Sequence, residues 1–283
     1  MTVVDAHLHV FTAVSEEFPR DVHELYPADL EATAEVLLAE MESAGVDKAV
    51  LVPLSYHDEY VRDCVERFPG RFAAVGVQRP GSVDVDDYRR RRESAGLQGL
   101  RLFALATAPA TRAEEIETFP LLEELARNGD KLWFYGGQEQ MELLELVLAS
   151  LPELTVVLNH LGFWPGPLSV DDHGRPRFEV AYTVAGLQAV RRLARFPRVH
   201  VLCSGMYAFS TEPPPYDDLR PVTEGILDAF GPERLLLATD FPWVRAVPGY
   251  VETLEAHKAH FAGLGEAERA RIFGGNAMEL FTF

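Results

Sequence analysis

Thr2-Val-Val-Asp-Ala-His-Leu-His-Val-Phe11 has the apolar character of a buried β-strand and carries two histidines two residues apart. Side chains alternate along a strand, so His7 and His9 share one face, and Asp5 has the same parity. Two imidazoles at the end of one strand can bind a divalent cation or polarise a carbonyl group. The motif therefore predicts a functional site beside the first strand.

Further apolar runs recur along the chain and alternate with amphipathic helical stretches. With the first run they give eight predicted strands: Val3–Val10, Lys48–Leu54, Phe72–Gln78, Gly99–Phe103, Leu132–Gly136, Thr155–Leu161, Val199–Ser204 and Leu235–Asp240. Near-continuous apolar runs are typical of parallel strands that are covered on both faces. Eight strand–helix units predict a single-domain (β/α)8 TIM barrel over residues 1–283. A doubly wound open sheet is the alternative, although no glycine-rich dinucleotide fingerprint follows the first strand.

The helical patterns fill most of the gaps between these strands: Leu30–Ala44, Glu59–Phe68, Ile116–Asn128, Gln140–Leu151, Val180–Phe196 and Val222–Phe230, with two more at Tyr250–Leu264 and Glu266–Leu280. Two proline-rich loops, Phe163–Phe178 and Met206–Pro221, are unusually long. Long βα loops in a barrel shape the mouth of the active site, so we expect these two loops to do so.

Charge and composition narrow the range of partners. The 283 residues carry a formal net charge of −18, from 26 basic and 44 acidic side chains, which argues against binding to nucleic acid or to anionic membranes. An anionic substrate is still allowed, because a local arginine can override the global field. Two cysteines give no disulfide framework, and there is no signal peptide or long apolar span. We expect a cytoplasmic protein that acts on a small molecule, and both a monomer and a homo-oligomer are compatible with the sequence.

Polar residues stand where several predicted strands end, which is where a barrel places its reactive groups. They are His7 and His9 on the first strand, Arg101 on the fourth, Tyr135 on the fifth, His160 on the sixth and Asp240 on the eighth. An aspartate that closes a strand of three leucines is costly to bury unless a partner stabilises it. An N-cap is the other interpretation of Asp240, but no helical pattern begins before about Tyr250.

The remaining candidates have structural interpretations beside the functional ones. His160 is the one histidine of its strand, and a single histidine is also compatible with a structural role in the core or at the surface. Arg101 either bridges loops of the barrel or binds substrate. Four aromatic residues either pack at the rim or contact substrate: Tyr135, Trp164, Tyr207 and Trp243.

The order His7-Leu8-His9, His160 and Asp240 resembles the amidohydrolase superfamily, and more narrowly its amidohydrolase 2 branch. The segments that carry this resemblance run from the first strand to the C-terminal helix: Asp5–Phe11, Leu97–Arg101, Val157–Gly162, Gly231–Arg234, Ala238–Pro242 and Gly275–Ala277. The combination is specific and covers essentially the whole chain.

Departures from the superfamily pattern concern the metal. Tyr135 stands where the superfamily generally has a metal-binding histidine on the fifth strand, and Arg101 stands on the fourth strand, where binuclear members often have a carboxylated lysine. Both argue against a two-metal site. The resemblance implies either no cofactor or one divalent ion, Zn or Mn, held by His7, His9 and Asp240.

Loss of the fifth-strand histidine is similar to the lactonase group of the superfamily, which contains 2-pyrone-4,6-dicarboxylate lactonase and the sugar lactonases, some of which work without a metal. Val201–Tyr207 also resembles their seventh strand, with Cys203 where a lysine is common.

These observations predict a hydrolase that opens a lactone or related cyclic ester of a small carboxylated or hydroxylated substrate. Asp240 is the predicted general base, and His7 and His9, or a metal between them, polarise the carbonyl. His160 orients the carbonyl or water and protonates the leaving alkoxide, while Arg101 binds a substrate carboxylate. Two alternatives are a metal-dependent decarboxylase or hydratase of the same branch and a non-catalytic barrel that binds a small ligand.

Overall fold

The computed structural model describes all 283 residues and shows eight parallel strands in one sheet. These strands are β1 (Val4–Leu8), β2 (Lys48–Leu51), β3 (Phe72–Val77), β4 (Leu97–Leu102), β5 (Lys131–Phe134), β6 (Thr155–Leu158), β9 (Val199–Cys203) and β10 (Leu235–Leu237). Two further strands, β7 (Leu168–Val170) and β8 (Pro176–Phe178), lie between β6 and β9 in the chain and form a separate antiparallel hairpin. Their order in the sheet is β1-β2-β3-β4-β5-β6-β9-β10, so each strand pairs with the next one along the chain.

The ring closes between β1 and β10 through backbone hydrogen bonds just beyond the strand ends. The His9 amide donates to the Phe241 carbonyl at 2.7 Å, and the Asp240 amide donates to the His7 carbonyl at 3.1 Å. The prediction of a (β/α)8 barrel is therefore confirmed, and the open-sheet alternative is wrong.

All eight strands of the barrel end one to three residues earlier than the apolar runs predict. As a result His9, Tyr135, His160 and Asp240 lie in the first residues of the loops that follow the strands, not within the strands themselves. This placement is typical of barrel active sites, where the loops after the strands carry the reactive groups.

The helices surround the strands. They are α1 (Ala34–Ala44), α2 (Glu59–Arg67), α3 (Val85–Ala95), α4 (Phe119–Asn128), α5 (Met141–Ser150), α6 (Val184–Arg192), α7 (Met206–Phe209), α8 (Arg220–Phe230), α9 (Tyr250–His260), α10 (Glu266–Ala270) and α11 (Asn276–Leu280). None of them combines the length and the apolar character needed to cross a lipid bilayer.

Helix α3 is absent from the sequence prediction because it lacks an apolar stripe. Only two of its side chains, Tyr88 and Ala95, are buried. Ion pairs to neighbouring elements hold it in place instead: Arg89 with Glu124 at 2.7 Å, Arg91 with Asp58 at 2.6 Å and Arg92 with Asp130 at 2.6 Å.

The two long loops pack against each other. Phe178 in β8 and Phe209 in α7 have ring centroids 4.5 Å apart, and Arg177 donates a hydrogen bond to the Tyr207 carbonyl at 3.4 Å. The loop after β9 is thereby held so that the Tyr207 hydroxyl reaches Asp240.

An apolar cluster fills the lower part of the barrel. Its members are mostly small aliphatic residues of the strands, together with Trp133 in β5, and Phe281 packs against Trp133 with ring centroids 5.7 Å apart. The polar side chains begin directly beyond Trp133, whose indole contacts His7.

Candidate active site

Four polar side chains from three distant segments of the chain meet inside the barrel. His7 lies 5.0 Å from His9 and 5.4 Å from His160, measured between ring centroids. The Oδ1 atom of Asp240 lies 3.6 Å from His7 Nε2 and 3.5 Å from His9 Nε2. All four residues are buried. The structure therefore brings together the four residues that the sequence selects as the reactive group.

The backbone at Asp240 is in the left-handed region, with φ at 66°. Aspartate tolerates this region better than most residues, and such conformations cluster at functional sites. Tyr207 donates a hydrogen bond to Asp240 Oδ2 at 2.6 Å, whereas buried Oδ1 has no hydrogen-bond partner in the protein. One carboxylate oxygen is thus anchored and the other is free to accept a proton.

A second carboxylate, Asp5, supports the site from behind. It accepts hydrogen bonds from the Thr239 amide at 2.9 Å, the Tyr250 hydroxyl at 2.9 Å and the Thr239 hydroxyl. Burial raises the pKa of Asp5 to about 6 even though these hydrogen bonds lower it. The Asp5 side chain thus faces Thr239 and Tyr250 of α9, and not His7 and His9. This orientation arises because the register of β1 against β2 shifts between Asp5 and Leu8.

His160 is held by the loop after β9. Its Nδ1 lies 2.8 Å from the Ser204 hydroxyl. Gly205 has φ at 68°, and a Cβ atom there would lie 2.8 Å from His160 Nδ1, so only glycine leaves room for this contact. Burial lowers the pKa of His160 to about 4, and the ring is neutral at neutral pH.

The histidines of the first strand have different hydrogen-bond partners. His9 Nδ1 lies 2.7 Å from the Val52 carbonyl, which only accepts, so His9 Nδ1 carries a hydrogen. His7 Nδ1 lies 3.0 Å from the indole Nε1 of Trp133, which only donates, so His7 Nδ1 carries the lone pair. Burial, with His9 and Arg101 nearby, lowers the pKa of His7 well below its usual value, and the neutral ring has its hydrogen on Nε2.

The pKa of Asp240 is lowered from its ordinary value. Burial raises the pKa of this carboxyl, but His160, His9 and the Tyr207 hydroxyl together lower it by more. Asp240 is therefore ionised at neutral pH and is able to accept a proton.

The spacing of the donor atoms alone would allow a metal ion. One donor atom each from His7, His9 and Asp240 lie within 4.8 Å of one another. A histidine that binds a metal normally donates its other ring N–H to an acceptor, as His9 does to Val52. His7 instead receives a hydrogen bond at that position and keeps a hydrogen on Nε2. Two ligands fall short of the three that hold a catalytic zinc, so the residues do not fit a resident cation.

Arg101 lies on the wall of the site as a buried cation. Its guanidinium carbon is 4.6 Å from the Tyr135 ring centroid and 5.0 Å from that of Phe103. Its Nε has no hydrogen-bond partner, and it takes part in none of the ion pairs of the chain. Burial lowers the pKa of Arg101, but an arginine stays charged in proteins. Burial of a cation without a counterion costs free energy, and an anionic ligand bound beside Arg101 would offset that cost.

The four aromatic candidates fall into two pairs. Tyr135 and Tyr207 contact the polar group directly: Tyr135 lies 4.9 Å from His160 between centroids, and Tyr207 binds Asp240. Trp164 and Trp243 lie one layer further out, since Trp164 stacks on Tyr135 at 5.6 Å and Trp243 lies 6.4 Å from His9. Sequence reasoning gave no role to Trp133 or Ser204 and placed Asp5 on the histidine face, because the partners of all three side chains are distant along the chain.

A buried aspartate and three buried imidazoles at the mouth of a (β/α)8 barrel form a candidate active site of an enzyme. A family model described as Amidohydrolase matches residues 4–283. The chain therefore belongs to the amidohydrolase family, and the prediction of an enzyme of the hydrolase class is confirmed.

Three curated relatives are similar in sequence. An L-fucono-1,5-lactonase from Burkholderia ambifaria is 25% identical over 297 residues, covering 98% of this chain and 94% of that protein. A 4-sulfomuconolactone hydrolase from Hydrogenophaga intermedia is 23% identical over 241 residues, covering 84% of this chain and 74% of that protein. An uncharacterized protein from Sinorhizobium fredii is 30% identical over 166 residues, and this match spans 56% of this chain and about half (49%) of that protein.

Solved structures share the fold. A probable 2-pyrone-4,6-dicarboxylic acid hydrolase from Acinetobacter baumannii with citric acid bound is 18% identical, with a TM-score of 0.76 and full coverage of both chains (100% each). An amidohydrolase from Burkholderia multivorans with bound zinc is 20% identical, with a TM-score of 0.72 and 99% coverage of each chain.

Proposed function

We propose that this protein hydrolyses a lactone, or a related cyclic ester, that carries a carboxylate. The observation that carries the proposal is Asp240 Oδ1, which is buried, ionised and without a protein partner, beside two imidazole nitrogens at 3.5 and 3.6 Å. The lactone-directed names of two relatives support the same class of substrate.

Asp240 is the proposed general base. Its Oδ1 accepts a proton from a water molecule, and the water oxygen forms a bond to the lactone carbonyl carbon. Tyr207 holds Oδ2, so that the carboxylate keeps Oδ1 towards the water.

His7 is the proposed donor to the carbonyl oxygen. Its Nε2 carries a hydrogen and has no partner in the protein, so it is available for the oxyanion of the tetrahedral intermediate. Loss of one such donor typically costs about 10²–10³ in turnover. The His9 Nε2 atom faces Asp240 and is placed to orient the water.

His160 is the proposed donor to the leaving oxygen. When the Ser204 hydroxyl donates to Nδ1, the neutral ring has its hydrogen on Nε2. Collapse of the intermediate breaks the ring C–O bond, and the leaving alkoxide takes a proton from His160, which regains one from Asp240. The net reaction adds one water to the lactone.

Arg101 is the proposed site for the substrate carboxylate, since its guanidinium lies beside the polar group and lacks a protein anion. Arginine binds carboxylates through two parallel hydrogen bonds. Tyr135, Trp164 and Trp243 then form the wall against which the ring of the substrate packs.

The metal-dependent decarboxylase or hydratase is the weaker alternative, because it needs a firmly held cation and the hydrogen bond at His7 removes one ligand. A cytoplasmic location, the absence of nucleic-acid and membrane partners, and homo-oligomer formation stay predictions.

A panel of lactones tests the proposal. Purified protein is added to aldono-1,5-lactones, muconolactones and pyrone carboxylates in weak buffer, and acid release is followed with a pH indicator. We expect release from at least one carboxylated lactone well above the spontaneous rate. Release from none of them, or carbon dioxide formation from an aromatic carboxylate instead, would contradict the proposal.

A further inference from the structure

The contact between Trp133 and His7 is a hydrogen bond whose direction is fixed by the indole, because the indole N–H can only donate. The two side chains are fully buried, at 0% exposure each, and their rings make an angle of 22°. The indole Nε1 lies 3.0 Å from His7 Nδ1 and is a donor only.

This hydrogen bond determines what His7 presents to the site. With the lone pair of Nδ1 engaged, the hydrogen of the neutral imidazole lies on Nε2, on the side of Asp240. In the other tautomer two N–H groups would face each other at 3.0 Å, and the indole N–H would lose its acceptor in an apolar interior.

His9 shows the opposite arrangement. The Val52 carbonyl takes the hydrogen of His9 Nδ1, which leaves a lone pair on Nε2 of the neutral ring. The two histidines of one short motif thus have opposite groups at Nδ1, a lone pair on His7 and a hydrogen on His9, and both Nε2 atoms lie close to the same carboxylate oxygen.

We propose that Trp133 is a positioning residue that fixes His7 as a hydrogen-bond donor and prevents it from acting as a ligand to a divalent metal. Trp133 is fully buried beside His7 and acts only through that residue. The part of this inference that concerns turnover rests on the proposed function, whereas the parts that concern tautomer and metal affinity do not.

Zinc affinity provides the first test. Trp133 is replaced by 3-benzothienylalanine, which keeps the shape of the indole and lacks the N–H, and in parallel by phenylalanine. The dissociation constant for Zn²⁺ is measured by competition with a chromophoric chelator. Partners of metal ligands typically change metal affinity by about 10–100-fold, so we expect both variants to bind Zn²⁺ tighter than wild type by about that factor.

A matched control separates this effect from general damage. Trp164 also donates its indole N–H, to the Gly166 carbonyl, but not to a histidine. 3-Benzothienylalanine at position 164 should leave the Zn²⁺ affinity at the wild-type value. Equal affinities of wild type and both position-133 variants would overturn the proposal, and so would an equal gain at position 164.

The tautomer itself is measured by nitrogen NMR of protein labelled with ¹⁵N in the histidine rings, at pH 7.5. The His7 signals are identified by their loss in His7→Asn. We expect His7 with its hydrogen on Nε2 and His9 with a hydrogen on Nδ1 in wild type, and a mixture of His7 tautomers in the benzothienylalanine variant. A hydrogen on His7 Nδ1 in wild type would overturn the assignment even if the protein hydrolyses lactones as proposed.

Discussion

The hydroxyl of Tyr207 donates a hydrogen bond of 2.6 Å to Asp240 Oδ2, and this contact leaves Oδ1 as the one oxygen of the carboxylate that faces the histidines. The contact joins the long loop after β9 to the end of β10. It therefore connects Asp240, the proposed base, to a loop that is longer than ordinary barrel loops.

Tyr207→Phe should lower kcat by about 10- to 100-fold with a small change in KM. A hydrogen bond to a charged group contributes about 1.5–3 kcal/mol, and its loss allows the carboxylate to rotate. Steady-state kinetics on the best lactone of the panel measures the effect. Tyr60→Phe removes a hydroxyl that accepts from the Ala34 amide, away from the site, and should leave kcat unchanged. Unchanged kcat in Tyr207→Phe would mean that this contact does not orient the base.

Arg101→Met should separate substrate recognition from stability. For a carboxylated lactone we expect kcat/KM to fall by about 10- to 100-fold, because a charge-assisted pair is lost. For a matched lactone without the carboxylate the change should be small. The melting temperature should not fall, since the variant removes an unpaired buried charge. An equal loss on both lactones would assign Arg101 to the reaction itself and not to the carboxylate.

The pH dependence of kcat/KM should be flat from about pH 5 to about pH 8. The pKa of Asp240 lies below its ordinary value, that of His160 is about 4, and that of His7 is well below its ordinary value. Asp240 is therefore ionised and both rings are neutral across this range, and activity is lost only below it, when the pH is low enough to protonate Asp240, whose pKa lies below its ordinary value. Initial rates corrected for spontaneous hydrolysis measure this. A rise with a midpoint near 7, as for a zinc-bound water, would contradict the mechanism.

Asp5→Asn should destabilise the fold and lower activity indirectly. The Thr239 amide donates to Oδ1 and the Tyr250 hydroxyl donates to Oδ2, so the N–H₂ group of asparagine replaces the acceptor atom of one of these two buried donors. We expect a loss of about 2–5 kcal/mol in the free energy of unfolding, measured by urea denaturation. Asp63→Asn, which removes an exposed pair with Arg67, should cost less than about 1 kcal/mol. If Asp5→Asn and wild type have equal free energies of unfolding, Asp5 does not stabilise the closure of the barrel between β1 and β10.

The convergence of His7, His9, His160 and Asp240 could be predicted from the sequence because a barrel gathers the ends of its strands at one mouth. The apolar runs and their number were sufficient for that step. Helix α3 could not be predicted, because its ion pairs with Asp58, Glu124 and Asp130 replace the apolar stripe on which helix recognition depends.

The supporting residues could not be predicted for a different reason. Trp133 meets His7 across 126 positions of the chain, and Asp5 meets Thr239 across 234 positions, so neither pair leaves a local pattern. Alternation along β1 even placed Asp5 on the histidine face. The register shift between Asp5 and Leu8 overrides that alternation and turns Asp5 towards Tyr250.

The turnover of Asp240→Asn tests the central claim most directly, with Asp228→Asn on the exposed side of α8 as the control. The asparagine keeps the shape of the side chain but accepts no proton, so lactone hydrolysis should fall by at least about 10³-fold. The circular dichroism spectrum should match wild type, and Asp228→Asn should keep full activity. A folded Asp240→Asn protein that still turns over within a few-fold of wild type would contradict the account.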